Sequence, residues 1–311
     1  MALTGLQIYK LLPQTNCKEC GFPTCMAFAM KLAAKQAELS ACPYVNDEAK
    51  TKLEAAAAPP IRLVTLSSDG HKVAVGNETV LFRHEKTFYH PPGLFVRVRD
   101  SQPRDEIVEL AAQVAAYKVD YVGIDLSFDG MTIQSDSGDP ATFQQCVAAV
   151  REVNKGALIL MANEPAVLEA GLAAADHTVP LLYAADRQNL PAISALAKQA
   201  KTPLVVRSHD GLDELAELTQ QAQAAGIQDL VLDTGQRKFG ASLATMTQIR
   251  RLAIKHGVRA LGFPMIAFPG EGVENPADEA ALAAQQIAKY AGMVVLDQFT
   301  PAMAYARLVL R

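Results

Sequence analysis

The chain has 311 residues, 50% of them hydrophobic and 20% charged, with a formal net charge of −4 and a pI near 5.9. That length supports one large domain plus a small one, and a mildly acidic balance without a Lys/Arg-rich run argues against nucleic acid or an anionic membrane as partner. No apolar run approaches the ~18 residues that span a bilayer, and Met1–Gly5 lacks the basic-then-apolar pattern of a signal peptide, so a cytoplasmic protein is expected.

The first stretch, residues 1 to about 58, reads as a small helical unit. Thr4-Gly5-Leu6-Gln7 has the form of a capping box ahead of apolar Leu6, Ile8, Tyr9, Leu11 and Leu12, and Pro13 stops that helix. A second helix starts near Thr24 and sets Cys25, Phe28, Leu32 and Leu39 along one face. Asn46 or Asp47 is placed to cap a third, which runs into Ala55-Ala56-Ala57-Ala58 and halts at Pro59-Pro60. That junction predicts a domain of residues 1–58 and another of residues 59–311, hinged between them.

Beyond the prolines, Ile61–Leu66 predicts a strand, and Lys72–Val75 with Thr79–Phe82 flank Gly76-Asn77-Glu78 like a hairpin. From Phe95 onward strand and helix alternate. The predicted strands are Phe95–Asp100, Tyr121–Leu126, Leu158–Ala162, Pro180–Ala184, Pro203–Arg207, Leu230–Asp233, Ala260–Ile266 and Met293–Asp297. Apolar runs such as Leu158–Met161 and Met293–Leu296 suit parallel strands buried on both faces. Asp139-Pro140 and Asn275-Pro276 pair an N-cap with proline at the first helical position. Eight such units in roughly 250 residues predict an α/β fold, a TIM (β/α)8 barrel behind a small, mainly helical domain. A doubly wound sheet is the alternative, but no strand is followed by Gly-x-Gly-x-x-Gly.

Cysteine usage is the sharpest local signal. Four of the five cysteines fall in the order Cys17-x2-Cys20-x4-Cys25-x16-Cys42-Pro43, while Cys146 stands apart. Clustered thiols in a chain of this kind point to one metal site rather than to disulfides. A tight loop plus one returning ligand suits the corners of a cubane 4Fe–4S cluster. Gly21 lets the backbone pass close and Pro23 stiffens the loop. Cys25 falls near a helix N-terminus, where free N–H groups and the dipole favour an anionic group. A zinc site made of four cysteines is the alternative; such sites commonly show two Cys-x2-Cys pairs, and only one pair here has that spacing. Cys146, with Phe143, Val147 and Val150 at helical spacing, reads as a buried thiol.

Leu3–Pro13, Asn16–Cys25 and Ser40–Val45 together resemble the large (gamma) subunit family of corrinoid iron–sulfur proteins. Those proteins belong to the acetyl-CoA synthase/CO dehydrogenase (Wood–Ljungdahl) system. Glu78–His90 and Thr247–Lys255 are similar to the barrel of that subunit. The resemblance implies that Cys17, Cys20, Cys25 and Cys42 ligate a 4Fe–4S cluster. It further implies a methyl carrier in which the cluster reduces corrinoid cobalt from Co(II) to Co(I). The methyl group would come from a methyltetrahydropterin methyltransferase and go to acetyl-CoA synthase, with a small (delta) subunit completing a heterodimer. In the family a corrinoid (cobalamin) domain follows the barrel; the sequence stops at Arg311, so corrinoid is not expected to be held by this chain alone.

Asp100, Asp125, Asn163 and Asp233 end predicted strands, where barrel active sites lie. They are candidates for hydrogen bonding a pterin ring, as in the pterin-dependent methyltransferases that share this fold. The plainer reading is that they cap helices or satisfy loop amides. His84 and His90 lack a spaced partner and read as loop packing; His71, His177, His209 and His256 are isolated. The competing functions are a pterin-dependent methyltransferase barrel with an added electron-transfer cluster, and a simple electron-transfer module.

Overall fold

The computed structural model describes residues 4–34, 36–46, 49–50, 53, 59–82, 85 and 90–311. The chain falls into two compact units, Met1–Pro59 and Pro60–Arg311. In the first, helix α1 (Gly5–Leu11) starts from a reciprocal cap: Gln7 N–H donates to Thr4 Oγ1, and Thr4 N–H donates to Gln7 Oε1 at 2.9 Å. Thr24 caps α2 (Cys25–Ala33) through the Ala27 N–H at 3.1 Å. This helix is shorter than its apolar face suggests. Gln36 N–H bonds back to the Lys31 carbonyl and closes the end, and Leu39 lies in a separate 3-10 turn, Leu39–Ala41. Asn46 Oδ1 accepts the Ala49 N–H at 2.7 Å, as its capping role requires. Asp47 and Ala55–Ala58 lie outside the described residues. Ile8, Leu12, Cys25, Phe28, Ala29 and Leu53 form the core of this unit.

The second unit opens with an antiparallel hairpin of β1 (Val64–Ser68) and β2 (His71–Val75). Its turn is Asp69-Gly70, both at positive φ, the backbone that a two-residue hairpin loop needs. The predicted partner Thr79–Phe82 is not a strand, because Val64–Ser68 takes up the whole of β2. Eight parallel strands then close a barrel. They are β3 (Gly93–Arg99), β6 (Gly130–Gln134), β7 (Ala157–Met161), β9 (Leu181–Ala185), β10 (Leu204–Arg207), β11 (Leu230–Asp233), β12 (Met265–Ala267) and β13 (Ala291–Leu296). β13 returns to pair with β3, Val294 opposite Leu94.

Tyr121–Leu126 is not a barrel strand. It folds into a separate hairpin, β4 (Lys118–Tyr121) with β5 (Ile124–Ser127), because Val122 and Gly123 both turn at positive φ. The true second strand is β6, a few residues on. The predicted strand Ala260–Ile266 also shortens, its first residues forming the 3-10 turn Arg259–Leu261.

Alternation along each strand divides the apolar side chains into two layers. Leu94, Val96 and Val98 join the layer beneath the helices. Phe95 joins the barrel interior with Ile159, Leu181, Val205, Val231, Ile266 and Val295. Val64, Leu66, Val73 and Val75 of the hairpin belong to that same inner layer, so the hairpin plugs one end of the barrel. β1 also pairs with β8 (Thr178–Val179), just ahead of β9. The plugged end is therefore the N-terminal one, and the mouth at the strand C-termini remains for function.

Candidate functional site

The cysteine segment is built on the first unit alone. Gln14, Asn16, Lys18 and Gly21 all adopt positive φ, which winds residues 14–21 into a tight loop ahead of α2. Cys25 is the first residue of α2 and is buried. Cys20 and Cys42 pack against the same small core, while Cys17 is exposed. A side-chain bond ties the two cysteine-bearing segments together: Tyr44 Oη donates to Glu19 Oε1 at 2.8 Å. Glu19 raises the Tyr44 pKa, and the Cys17 and Cys42 thiols add to the rise, which puts these groups in one neighbourhood. Phe22 and Phe28 stack beside them, ring centroids 5.4 Å apart.

None of the five thiols is in a disulfide. Among the described residues, no three His, Cys, Asp or Glu side chains converge tightly enough to hold a single metal ion. Three free thiols on one apolar core, with the exposed Cys17 three residues from Cys20 and α2 starting at Cys25, fit a larger body ligated by thiolates. Cys146 has no part in this. It is buried in the helix Pro140–Val153 of the other unit, where desolvation pushes its pKa up to about 12.

The barrel mouth holds the second constellation. Two positions beyond the inner apolar layer, the strands present Arg97, Tyr183, Arg207, Asp233 and Asp297. Arg97 is buried and donates to Asp297 at 2.6 and 2.5 Å, to Glu271 at 2.6 Å and to Gln134 Oε1 at 3.0 Å. Arg237 grips both oxygens of Asp233 at 2.9 Å and also reaches Glu271, which thus bridges two guanidiniums. Tyr183 Oη donates to Asp233 at 2.7 Å. Phe268 lies under this lattice, 5.0 Å from the Arg237 guanidinium and edge-on to Tyr183. Burial opposes charge on Asp233, yet Arg237 and the Tyr183 hydroxyl outweigh it and hold its pKa below the ordinary value. Beside the lattice is a cavity of about 280 Å3 lined by Asn163, Tyr183, Arg207, His209, Arg237 and Glu271 among others.

The four pterin-type candidates part company here. Asp233 sits in the mouth but is neutralised by Arg237. Asn163 is exposed and lines the cavity. Asp100 is taken up by the loop after β6, accepting from Ser135 Oγ, Ser137 Oγ and the Asp136 and Ser137 amides. Asp125 lies on the exposed β4–β5 hairpin opposite Asp120, away from the mouth, since that segment is not a barrel strand. The arginines, Tyr183, Glu271 and Asp297 carry no motif. Their signal was the period of two: a charge two residues past an inward Phe95, Val205 or Val295 must face the mouth.

Comparison with known proteins then places both units. Residues 63–311 match the family model for the CO dehydrogenase/acetyl-CoA synthase delta subunit. Residues 12–44 match one described as "Putative Fe-S cluster". The corrinoid/iron-sulfur protein large subunit of Moorella thermoacetica is 45% identical over 296 residues, 95% of this chain and 66% of that protein. The chain belongs to the CO dehydrogenase/acetyl-CoA synthase corrinoid/iron–sulfur subunit family. Within that family, the acetyl-CoA decarbonylase/synthase complex subunit gamma 1 of Methanosarcina thermophila is 36% identical over 313 residues, again 95% of this chain and 66% of the relative. The chain thus spans about two thirds of the length of these relatives. The barrel model bears the delta name, but similarity that includes the cysteine segment runs to large and gamma subunits.

Solved structures share the fold alone. Dihydropteroate synthase from Thermus thermophilus superimposes with a TM-score of 0.53 at 19% identity, covering 79% of this chain and 97% of that one. The Yersinia pestis enzyme with a pterine-sulfa conjugate gives 0.51 at 16% identity, over 79% and 97%. Both agree with a family barrel of the TIM class. Among the described residues, no helix is long and apolar enough to cross a membrane.

Proposed function

We propose that Cys17, Cys20, Cys25 and Cys42 hold a 4Fe–4S cluster, and that this chain is the electron-delivering and barrel-bearing part of a corrinoid methyl carrier. The observation that carries this reading is the gathering of free thiols on one small core, with the Cys17–Cys25 and Cys42 segments tied by Tyr44 and Glu19. A bound cluster of this type supplies single electrons, the chemistry needed to return corrinoid Co(II) to nucleophilic Co(I). The chain's own contribution is to fix the four sulfurs, to present the α2 N-terminus to negative charge and to wall one side with Phe22 and Phe28. The names of the relatives, a corrinoid/iron-sulfur protein large subunit and an acetyl-CoA decarbonylase/synthase complex gamma subunit, support this reading. The corrinoid, the small (delta) subunit, the methyltetrahydropterin methyltransferase and acetyl-CoA synthase/CO dehydrogenase are the cofactor and partners this reading assigns.

The barrel fits a platform better than a pterin-dependent methyltransferase. The acids at its mouth, Asp233 and Asp297, are taken up by arginines, Asp100 is engaged by the loop after β6, and Asp125 lies on the β4–β5 hairpin. Anaerobic purification tests the cluster: iron and labile sulfide in the ratio of one cubane, with each of the four Cys→Ala variants losing it and Cys146→Ala retaining it. Stoichiometric zinc without sulfide would overturn the assignment. Saturable binding of methyltetrahydrofolate or methyltetrahydromethanopterin to the chain would restore the methyltransferase reading.

A further inference from the structure

We propose that Asn16 is a positioning residue for Cys25, clasping that thiolate through two hydrogen bonds that retain the cluster and set its potential; the proposal rests on reading the four cysteines as cluster ligands. The Asn16 backbone N–H donates to Cys25 Sγ at 3.4 Å. In return the Cys25 backbone N–H donates to Asn16 Oδ1 at 2.8 Å. The two bonds close a ring between residues at opposite ends of the ligand loop. The second satisfies one of the first-turn N–H groups that α2 leaves without an intrahelical partner.

The residue type is selected twice over. Asn16 has φ 50°, in the left-handed region where asparagine, aspartate and glycine are at ease and most side chains are not. The clasp also needs a short side chain ending in an acceptor, which glycine lacks. Asparagine meets both demands without placing a charge beside an anionic group. The first bond acts on the sulfur itself. An N–H aimed at a ligating sulfur favours the more negative, reduced cluster, so it raises the reduction potential. The side-chain bond keeps that N–H aimed, by fixing Asn16 against the start of α2.

The full chain, purified anaerobically as wild type, Asn16→Gly and Asn16→Asp, tests this. Asn16→Gly keeps the backbone freedom and removes the acceptor; Asn16→Asp keeps both. Asn16→Gly is expected to assemble a cluster that releases iron to a chelator about tenfold faster than wild type. Its midpoint potential, read by EPR on poised samples, should move to a more negative value. Asn16→Asp, which keeps the clasp but adds a charge, should release iron more slowly than Asn16→Gly. Wild-type protein labelled with 15N at asparagine should show a nitrogen coupling in the pulsed EPR spectrum of its reduced cluster, a readout that does not depend on any variant folding. A wild-type release rate and potential in Asn16→Gly, an Asn16→Asp protein as labile as Asn16→Gly, or no asparagine nitrogen coupling would each overturn the clasp. A wild-type chain carrying zinc, or no iron and sulfide, is seen before any variant is compared, and it overturns the cluster reading together with the clasp that rests on it.

Discussion

Asp233 shows what a charge costs and gains at the centre of this barrel. It is fully buried, and its two oxygens are shared between Arg237 and the Tyr183 hydroxyl. Replacing it by asparagine leaves Arg237 with Glu271 as its remaining carboxylate. Breaking a buried pair in this way costs about 3 kcal/mol or slightly more, which should appear as a fall of roughly 6–12 °C in the barrel's Tm. The same residue carries a pH signature, shared with Asp100. Burial opposes ionisation of Asp100, but the Ser137 hydroxyl and the Asp136 and Ser137 amides hold its pKa below the ordinary value, as Arg237 does for Asp233. The unfolded chain therefore binds protons first as pH falls. The stabilisation is complete above the ordinary carboxylate pKa of about 3.9 and drains away as pH drops through the lower folded values. A Tm–pH curve for Asp100→Asn should run flatter than wild type below about pH 4. Equal slopes in that window would remove Asp100 from the account.

Among the elements, the described part of the segment between β2 and β3 makes a buried contact with the long helix Phe239–Lys255. Arg250 of that helix, 1% exposed, pairs with Glu78 and donates to the carbonyls of Val80 and Leu81. The pair joins the two stretches, Glu78–His90 and Thr247–Lys255, that carried the resemblance in the barrel; Arg83, His84 and Lys86–Tyr89 lie outside the described residues. Arg250→Met should cost about 3–5 kcal/mol by leaving Glu78 buried without its cation, and adding Glu78→Gln should recover much of that. Additive losses in chemical denaturation would contradict the coupling. The misplaced second strand shows where pattern reading runs out. Tyr121-Val122-Gly123-Ile124 is apolar and β-branched, yet its side chains are largely exposed around a turn. β6 reads Gly-Met-Thr-Ile-Gln, too polar to stand out, because Thr132 and Gln134 face inward. Strands such as Leu158–Met161 and Met293–Leu296 were legible as unbroken apolar runs, and the cysteine loop as a spacing. The mouth was not, since ion pairs such as Arg97 with Asp297 join residues far apart in sequence and only barrel closure brings them together.

The molecule as a whole divides between Pro59 and Pro60. Its larger unit has its own core layers and closes its sheet without help from the smaller. Residues 60–311 expressed alone should therefore unfold in one cooperative transition, within a few degrees of the barrel transition in the full chain. A fragment without a cooperative transition would show that the barrel needs the cysteine unit to fold. The lattice in the mouth has a consequence that reaches into the history of the sequence. Glu271 serves Arg97 and Arg237 together, and each of those holds a further carboxylate. Exchanging either arginine singly leaves an acid without its main cation, Asp233 in a fully buried place. Substitution at these positions should therefore travel in compensated sets, an arginine lost together with an acid. Descendant sequences would keep the whole circuit or replace it whole, and half-edited intermediates should be rare.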